Sequence, residues 1–343
     1  MRAGSFARLL IAWQKSHGRH DLPWQGRGAY AAWISEVMLQ QTQVATVIPY
    51  YRRFMARFPD VGALAAAAPD EVLGLWSGLG YYGRARNLQR AARIIAERHG
   101  GALPQDYAGI LALPGIGRST AGAICALAYG QPCAVLDGNA KRVFARHFAI
   151  SGWPGAPDVE HALWQRAEAE LPDEEAATYT QALMDMGATV CLRSRPRCAD
   201  CPVAASCAAR AQGRVAELPA PRPARALPQK TVTWLICRHE REVLLERRPA
   251  SGLWGGLWAL PESMAAPEQA ALALLGSPPG QMRELAPLMH GFTHFRLKAI
   301  PVELSYPQRP APLGEARWLW LDLADIAQAP LPKPVRTLLA GLA

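Results

Sequence analysis

Four of the chain's seven cysteines stand within residues 191–207, spaced Cys191-x6-Cys198-x2-Cys201-x5-Cys207. No other feature narrows so far what this sequence can fold into. An odd cysteine total argues against a disulfide framework. The spacing favours a ligand role for all four, since buried free thiols, the alternative, rarely crowd this tightly. Soft thiolates on one short loop suit zinc or an iron–sulfur cluster, and the spacing lacks the twice-repeated short gap of paired CxxC zinc knuckles. Between the first two cysteines lie Arg193, Arg195 and Arg197. Pinned by a metal centre, they would form a rigid cationic loop able to meet phosphates, or else a merely solvated one.

The 343 residues suffice for two domains, with three as the upper bound. Half are hydrophobic and 19% charged, which excludes a disordered chain. The formal net charge of +9 favours a polyanionic partner, most simply nucleic acid, although anionic membrane surfaces also fit. No apolar run approaches the roughly 18–20 residues of a membrane span. The short apolar patch at residues 9–13 reads as an amphipathic helix rather than a signal peptide. The expected location is therefore a bacterial-type cytoplasm or, in a eukaryote, a reducing interior.

Three composition regimes follow one another. Residues 1–210 carry helical periodicity, at 33–47, 71–75, 88–95, 120–128 and 179–188, punctuated by Pro59, Pro69, Pro104 and Pro114. An all-α domain is predicted there. Residues 211–230 read as an extended linker, since the stretch from 208 holds four prolines and five basic residues against one acid. Residues 231–343 alternate strand patterns (TVTWLICRH, EVLLERR, 292–301 and 317–321) with helical pieces near 267–275 and 334–342. That pattern predicts an α+β domain.

Within the helical half, Leu113-Pro114-Gly115-Ile116-Gly117 sits between two helical segments. Glycines one residue apart leave backbone N–H groups uncovered, and these, with the next helix N-terminus, can bind a phosphate; an ordinary two-glycine turn is the alternative. Ser119, just beyond, could be no more than a helix cap. Two acids occupy unusual company: Glu36 inside the apolar run Trp33-Ile34-Ser35-Glu36-Val37-Met38-Leu39, and Asp137 after Val135-Leu136. Breaking an N-glycosidic bond needs an acid to protonate the leaving base and a carboxylate to stabilise the oxocarbenium-like sugar. Taken singly, each acid has an ordinary reading, a solvated helical glutamate and a turn or cap aspartate.

In combination and order, Ser35 through Val44, Leu79-Gly80-Tyr81-Tyr82, Leu113 through Gly117, Leu136-Asp137-Gly138-Asn139 and the four cysteines resemble the helix-hairpin-helix DNA glycosylases that carry an iron–sulfur cluster, and among them the MutY adenine glycosylases. The resemblance is close over residues 5–210 and looser beyond. It implies a [4Fe–4S] cluster on Cys191, Cys198, Cys201 and Cys207 within a 191–207 loop. It implies Glu36 as the acid protonating adenine, at N7, and later activating water, with Asp137 stabilising or transiently trapping the sugar cation and Asn139 positioning the pair. Gln41 and Tyr81 resemble residues that wedge into the duplex, Gln181 a position contacting the extruded adenine, and Gly115 and Gly117 the DNA-gripping hairpin. Extrusion is required because the target bond cannot be reached inside the stack. Endonuclease III-type relatives, which also nick the strand, carry a lysine where this chain has Ser119; a serine forms no Schiff base, so base removal without strand cleavage is expected.

In the C-terminal part, Leu244 through Pro249 followed by Gly252 through Trp258 resembles the Nudix-like domain of the same family. Residues 262–285 lack the glutamate-rich run that binds magnesium in Nudix hydrolases, so this domain is expected to bind rather than hydrolyse. Phe292-Thr293-His294 matches the family's 8-oxoguanine-sensing loop, with threonine for the usual serine, although local pattern alone would make Phe292 and Phe295 strand-core residues. The resemblance thus implies excision of adenine opposite 8-oxoguanine or guanine in duplex DNA by a cytoplasmic, nucleoid-associated monomer with no membrane partner. The rivals are an endonuclease III-type glycosylase/lyase, disfavoured by Ser119, and a non-catalytic DNA-binding iron–sulfur protein, disfavoured by the paired acids.

Overall fold

The structure, a computed structural model, describes residues 5–224, 226–313 and 318–342. It divides into two compact units, one of residues 1–66 with 87–224 and the other of 67–86 with 225–343.

The helices, in chain order, are α1 (Ser5–His17), α2 (Gly28–Leu39), α3 (Val44–Arg57), α4 (Val61–Ala66), α5 (Pro69–Trp76), α6 (Gly83–Arg98), α7 (Tyr107–Leu111), α8 (Arg118–Tyr129), α9 (Gly138–His147), α10 (Pro157–Ala169), α11 (Ala176–Thr189) and α12 (Ala208–Ala211). In the first unit α1 buries Phe6, Ala7, Leu10, Ile11 and Gln14, one face of an amphipathic helix. That face packs into a core with Phe144, Leu163, Tyr179, Leu183 and Met186, the Phe6 and Phe144 rings standing 5.7 Å apart. The core therefore clamps α9, which Asp137 caps, and α11, which carries Gln181.

The periodic stretch 33–47 is not one helix. α2 stops at Leu39 and α3 restarts at Val44, because Gln41 takes a φ of 57°, which no right-handed helix accommodates. Tyr81, in the second unit, is likewise left-handed, with a φ of 48°. The backbone conformation of both residues is sparsely populated for non-glycines and, where it persists, tends to mark sites of contact.

The second unit is a sheet with helices on it. Its elements are β1 (Gln229–His239), β2 (Glu242–Arg247), β3 (Trp258–Ala259), β4 (Glu262–Ser263), α13 (Pro267–Leu275), β5 (Gln281–Glu284), β6 (Leu288–Gly291), β7 (Arg296–Ser305), β8 (Trp318–Asp322) and α14 (Lys333–Ala340). Among the described residues the strand order is β3-β2-β1-β7-β5, with β4, β6 and β8 pairing onto β1, β7 and β2. β1 and β7 run parallel over ten registered pairs from Gln229↔Arg296 to Arg238↔Ser305. Leu235, Cys237, Leu244, Leu275, Val302 and Leu304 form a core against this sheet. The strand expected at 292–301 begins later: β6 and β7 pair Gly291 with Arg296, and residues 292–295 form the turn between them, closed by the Phe292 N–H donating to the Phe295 carbonyl at 2.9 Å. The strand expected at 317–321 is β8, of which Arg317 lies outside the described residues.

Candidate functional site

Every residue of 31–38 in α2 is buried except Glu36, which is half-buried. Its neighbours turn into the core and leave this one carboxyl facing a cavity of about 760 Å³. Glu36, Gln41, Ser119, Asp137, Asn139 and Gln181 all line that cavity, so the fold gathers six sequence-nominated residues from four helices and their flanks. Asp137 sits at the N-terminal cap of α9, its Oδ1 accepting from the Ala140 N–H at 2.7 Å. The ordinary reading of Asp137 as a helix cap therefore holds, and the capping residue also lines the cavity.

The two carboxyls live in different surroundings. Removal from bulk water, and then the neighbouring charge of Asp137, push Glu36 up to about 8. Burial also raises Asp137 above the usual carboxylate range, but the N–H groups of Ala140 and Asn139 and the charges of Arg142 and Lys141 oppose that rise. Donors thus stand by to hold a negative charge at Asp137, whereas the causes acting on Glu36 all favour its neutral form. This is the division of labour that two carboxyls in one site need.

Ser119 caps nothing; Gly117 is the N-cap of α8. The Ser119 hydroxyl instead accepts from the Leu136 N–H at 3.0 Å, fixing the backbone one residue before Asp137. Asn139 Oδ1 accepts from Arg142 Nη2 at 2.8 Å, and Arg142 Nε donates to the Cys191 carbonyl at 2.7 Å. Lys141 is tied to Glu160 at 2.6 Å. In the hairpin between α7 and α8, Ile116 is buried, and Gly115 has a φ of 81°.

Arg19 and Asp185 went unnoticed in the sequence. Arg19 lines the cavity, and its Nη2 donates to Asp185 Oδ1 at 2.6 Å. Asp185 carried a usable signal, an acid inside an apolar helix, the same signal that singled out Glu36. Arg146 carried none: it is a buried arginine whose Nε donates to the Leu218 carbonyl at 2.7 Å and whose Nη1 reaches the Leu192 carbonyl at 2.6 Å.

The four cysteines line a second, smaller cavity together with Arg146, Arg197 and Arg210. Arg146 Nη1 stands 3.4 Å from the Cys191 sulfur. Among the described residues no three histidine, cysteine or acidic side chains are close enough to hold a single metal ion. Four cysteine sulfurs around one space are a soft donor set that suits zinc or an iron–sulfur cluster. Arg193 and Arg195 are exposed on this loop, while Arg197 pairs with Asp200 at 2.8 Å.

In the second unit Tyr81 is half exposed, at 50%. Thr293 and His294 are exposed at the tip of the β6–β7 turn. Phe295 is buried and Phe292 half-buried, their rings stacked at 4.5 Å, with Trp254 5.5 Å from Phe292. The core role that strand pattern suggested for both phenylalanines therefore falls to Phe295, and Phe292 lies over it.

Residues 34–169 match the family model described as HhH-GPD superfamily base excision DNA repair protein, and residues 232–341 match the NUDIX domain model. The chain is 35% identical over 339 residues to the Adenine DNA glycosylase of Buchnera aphidicola subsp. Acyrthosiphon pisum, covering 97% of this chain and 96% of that protein. It is 36% identical over 398 residues to the Adenine DNA glycosylase of Mus musculus, covering 96% and 77% respectively. Among solved structures, a thermostable thymine-DNA glycosylase superposes with a TM-score of 0.54 at 27% identity over 60% of this chain and 95% of its own. An endonuclease III–DNA complex does so at 0.52 and 22%, over 62% and 98%, a likeness of fold.

Proposed function

The chain belongs to the adenine DNA glycosylase family, and from that membership we propose that its large cavity receives an adenine extruded from duplex DNA, mispaired with 8-oxoguanine or guanine, and that Glu36 and Asp137 carry out the cleavage. It is a base-excision-repair enzyme that hydrolyses the N-glycosidic bond of adenine. The observation that carries the site assignment is the contrast between the two acids on one cavity: Glu36 holds its proton up to about 8, and Asp137 has the donors that favour charge.

In this reading Glu36 gives its proton to a ring nitrogen of the flipped adenine, N7, and the bond from that base to the sugar C1′ breaks with its electron pair leaving on adenine. The Asp137 carboxylate faces the oxocarbenium ion thus formed. Glu36, now a carboxylate, takes a proton from the water that adds to C1′, which restores the acid and leaves an abasic sugar. Ser119 holds the backbone ahead of Asp137, and Asn139 engages Arg142. With serine at position 119 no amine forms a Schiff base there, so the strand stays intact.

Gly115, Gly117 and the start of α8 supply backbone donors for the phosphate chain. Gln41 and Tyr81, both exposed to partners by strained backbone, are the wedges. Phe292, Thr293 and His294 form the loop that reads 8-oxoguanine. Cys191, Cys198, Cys201 and Cys207 are the residues that would hold a [4Fe–4S] cluster, which when bound cross-links the loop and keeps Arg193 and Arg195 fixed toward DNA. None of the helices described is long and apolar enough to cross a membrane. We place the enzyme as a monomer on the nucleoid of a bacterial cytoplasm.

A single-turnover assay on matched duplexes tests this reading, with adenine opposite 8-oxoguanine, guanine or thymine, with and without alkali. Alkali-dependent breaks at adenine, fastest opposite 8-oxoguanine, are expected. Breaks without alkali would assign lyase chemistry instead, and tight binding with no base release would remove Glu36 and Asp137 from the chemistry.

A further inference from the structure

Asp185, in α11, is fully buried, and its carboxylate meets five donors. Oδ1 accepts from Arg19 Nε at 2.9 Å, Arg19 Nη2 at 2.6 Å and Gln181 Nε2 at 2.8 Å. Oδ2 accepts from the Arg19 backbone N–H at 2.8 Å and from Gln14 Nε2 at 3.0 Å. Both Asp185 oxygens already accept from Arg19, so the end of the Gln181 amide that meets this carboxyl is the donor, the NH₂. The two ends of a glutamine amide are ordinarily hard to tell apart, but here the partner's chemistry decides between them. Gln181 also lines the cavity that holds Glu36 and Asp137. With its nitrogen committed to Asp185, its carbonyl oxygen is the end left for whatever occupies that cavity.

We propose that Asp185 is a positioning residue for base selection: by locking Gln181 with its acceptor toward the cavity, it makes the site favour a purine bearing an exocyclic amine. Adenine presents such a donor. Hypoxanthine presents a carbonyl oxygen at the same position, so two acceptors would face each other, and an unsubstituted purine leaves the Gln181 oxygen without a partner. A site built around a committed hydrogen-bonding group rejects analogues that lack the complement more strongly than an apolar pocket can. Arg19 keeps the lock in place, since its side chain is only 25% exposed and pairs with a carboxylate that is 1% exposed. A neutral or mobile residue at 185 would let the amide turn over and lose its preference. The inference rests on the proposed entry of the extruded base into this cavity.

The test compares single-turnover release of adenine, 6-unsubstituted purine and hypoxanthine from otherwise identical duplexes, by the parent enzyme and by Asp185→Ala. Ratios between bases cancel both the intrinsic lability of each base, once parent and variant are compared, and the fraction of variant that is folded. The adenine-to-purine ratio is expected to fall about tenfold, the worth of one hydrogen bond, and the share of hypoxanthine release to rise. Unchanged ratios overturn the proposal. Should Asp185→Ala not accumulate as folded protein, Gln181→Leu leaves Asp185 with Arg19 and Gln14 and removes only the acceptor. The same fall in ratio is expected there, and an unchanged ratio again overturns the proposal. A parent enzyme that releases no adenine from any duplex would overturn the reading of the cavity itself, which unchanged ratios alone would not.

Discussion

A carboxyl that keeps its proton to about pH 8 is an acid still loaded at neutral pH, and that property of Glu36 can be tested in two ways. Glu36 acts in its protonated form and Asp137 in its charged one, so single-turnover base release should decline as pH climbs past about 8 and decline again at acid pH, where Asp137 takes up a proton. Glu36→Gln should slow release by about 100- to 10,000-fold, the usual worth of a general acid. The same substitution should raise the melting temperature. The folded-state value lies above the ordinary 4.5, so the folded form is favoured while the proton stays on and is weakened as pH climbs from 4.5 toward about 8. Glutamine has no proton to lose, so Glu36→Gln should melt a few degrees higher at pH 8 and no higher at pH 4. Equal melting at both would mean that Glu36 is not desolvated. Asp137 separates charge from shape. Asparagine caps a helix as well as aspartate does, so Asp137→Asn should keep melting temperature and duplex binding while base release falls at least about 100-fold. Asp137→Ala should add a stability loss of about 1 kcal/mol from the missing cap. Parent-like turnover by Asp137→Asn would remove the assigned role. Both acids were legible in the sequence because an acid in an apolar run is conspicuous. Arg142 and Gln14 were not, because their partners stand 49 and 171 residues away, and only tertiary packing brings them together.

At the scale of elements, the hairpin between α7 and α8 carries two glycines that do different things. Gly115 has a φ of 81°, and a Cβ there would stand 2.7 Å from the Asn87 Cβ, so the turn itself demands glycine. Gly117 has an ordinary φ of −100°, caps α8, and has open space where a Cβ would go. Gly115→Ala should therefore cost about 1–2 kcal/mol from backbone strain alone, seen as a lower melting temperature. Gly117→Ala should barely move it. If backbone N–H groups grip a phosphate here, Gly117→Ala should nonetheless weaken duplex binding, measured by fluorescence anisotropy, because its methyl group would occupy the approach of the phosphate. Unaltered affinity in a stable Gly117→Ala protein would leave the hairpin an ordinary turn. Sequence periodicity located the helices well where caps and prolines agreed with it, as in α13, which spans Pro267–Leu275 as expected. It failed at Gln41, in the polar run 40–43 between two apolar stretches, and at residues 292–295, where the backbone turns. Neither turn contains the proline or the glycine by which turns announce themselves. At both, the residues that break the pattern are the ones proposed to touch DNA.

For the whole molecule, the proline-rich stretch announced a change of regime, and the sheet begins at Gln229. The recruitment of residues 67–86 into the second unit was not announced, because membership of a unit is decided by contacts and not by contiguity. Those contacts are specific. Arg247 pairs with Asp70, Arg336 Nη2 donates to the Ser77 hydroxyl at 2.6 Å, that hydroxyl donates to the Leu331 carbonyl at 3.1 Å, and Arg86 donates to the Gly255 carbonyl. A chain cut after residue 224 keeps residues 67–86, α5 among them, and deprives Asp70, Ser77 and Arg86 of these partners. Cooperative units lose hydrogen-exchange protection together. The amides of α5 should therefore exchange much faster in the truncated chain, and those of α11, in the other unit, much less so. Thr293→Ala combined with His294→Ala offers the counterpart, because both side chains are exposed at a turn tip and the substitutions leave the contacts of residues 67–86 intact. That pair should lower the preference for adenine opposite 8-oxoguanine over adenine opposite guanine while α5 stays protected. Truncation should lower the preference and unprotect α5 as well. Loss of preference in both proteins with α5 protected in both would show that residues 67–86 hold their structure without the sheet. An unchanged preference in the loop variant, with the truncated chain still impaired, would move lesion recognition away from residues 292–294 to some other surface of the second unit.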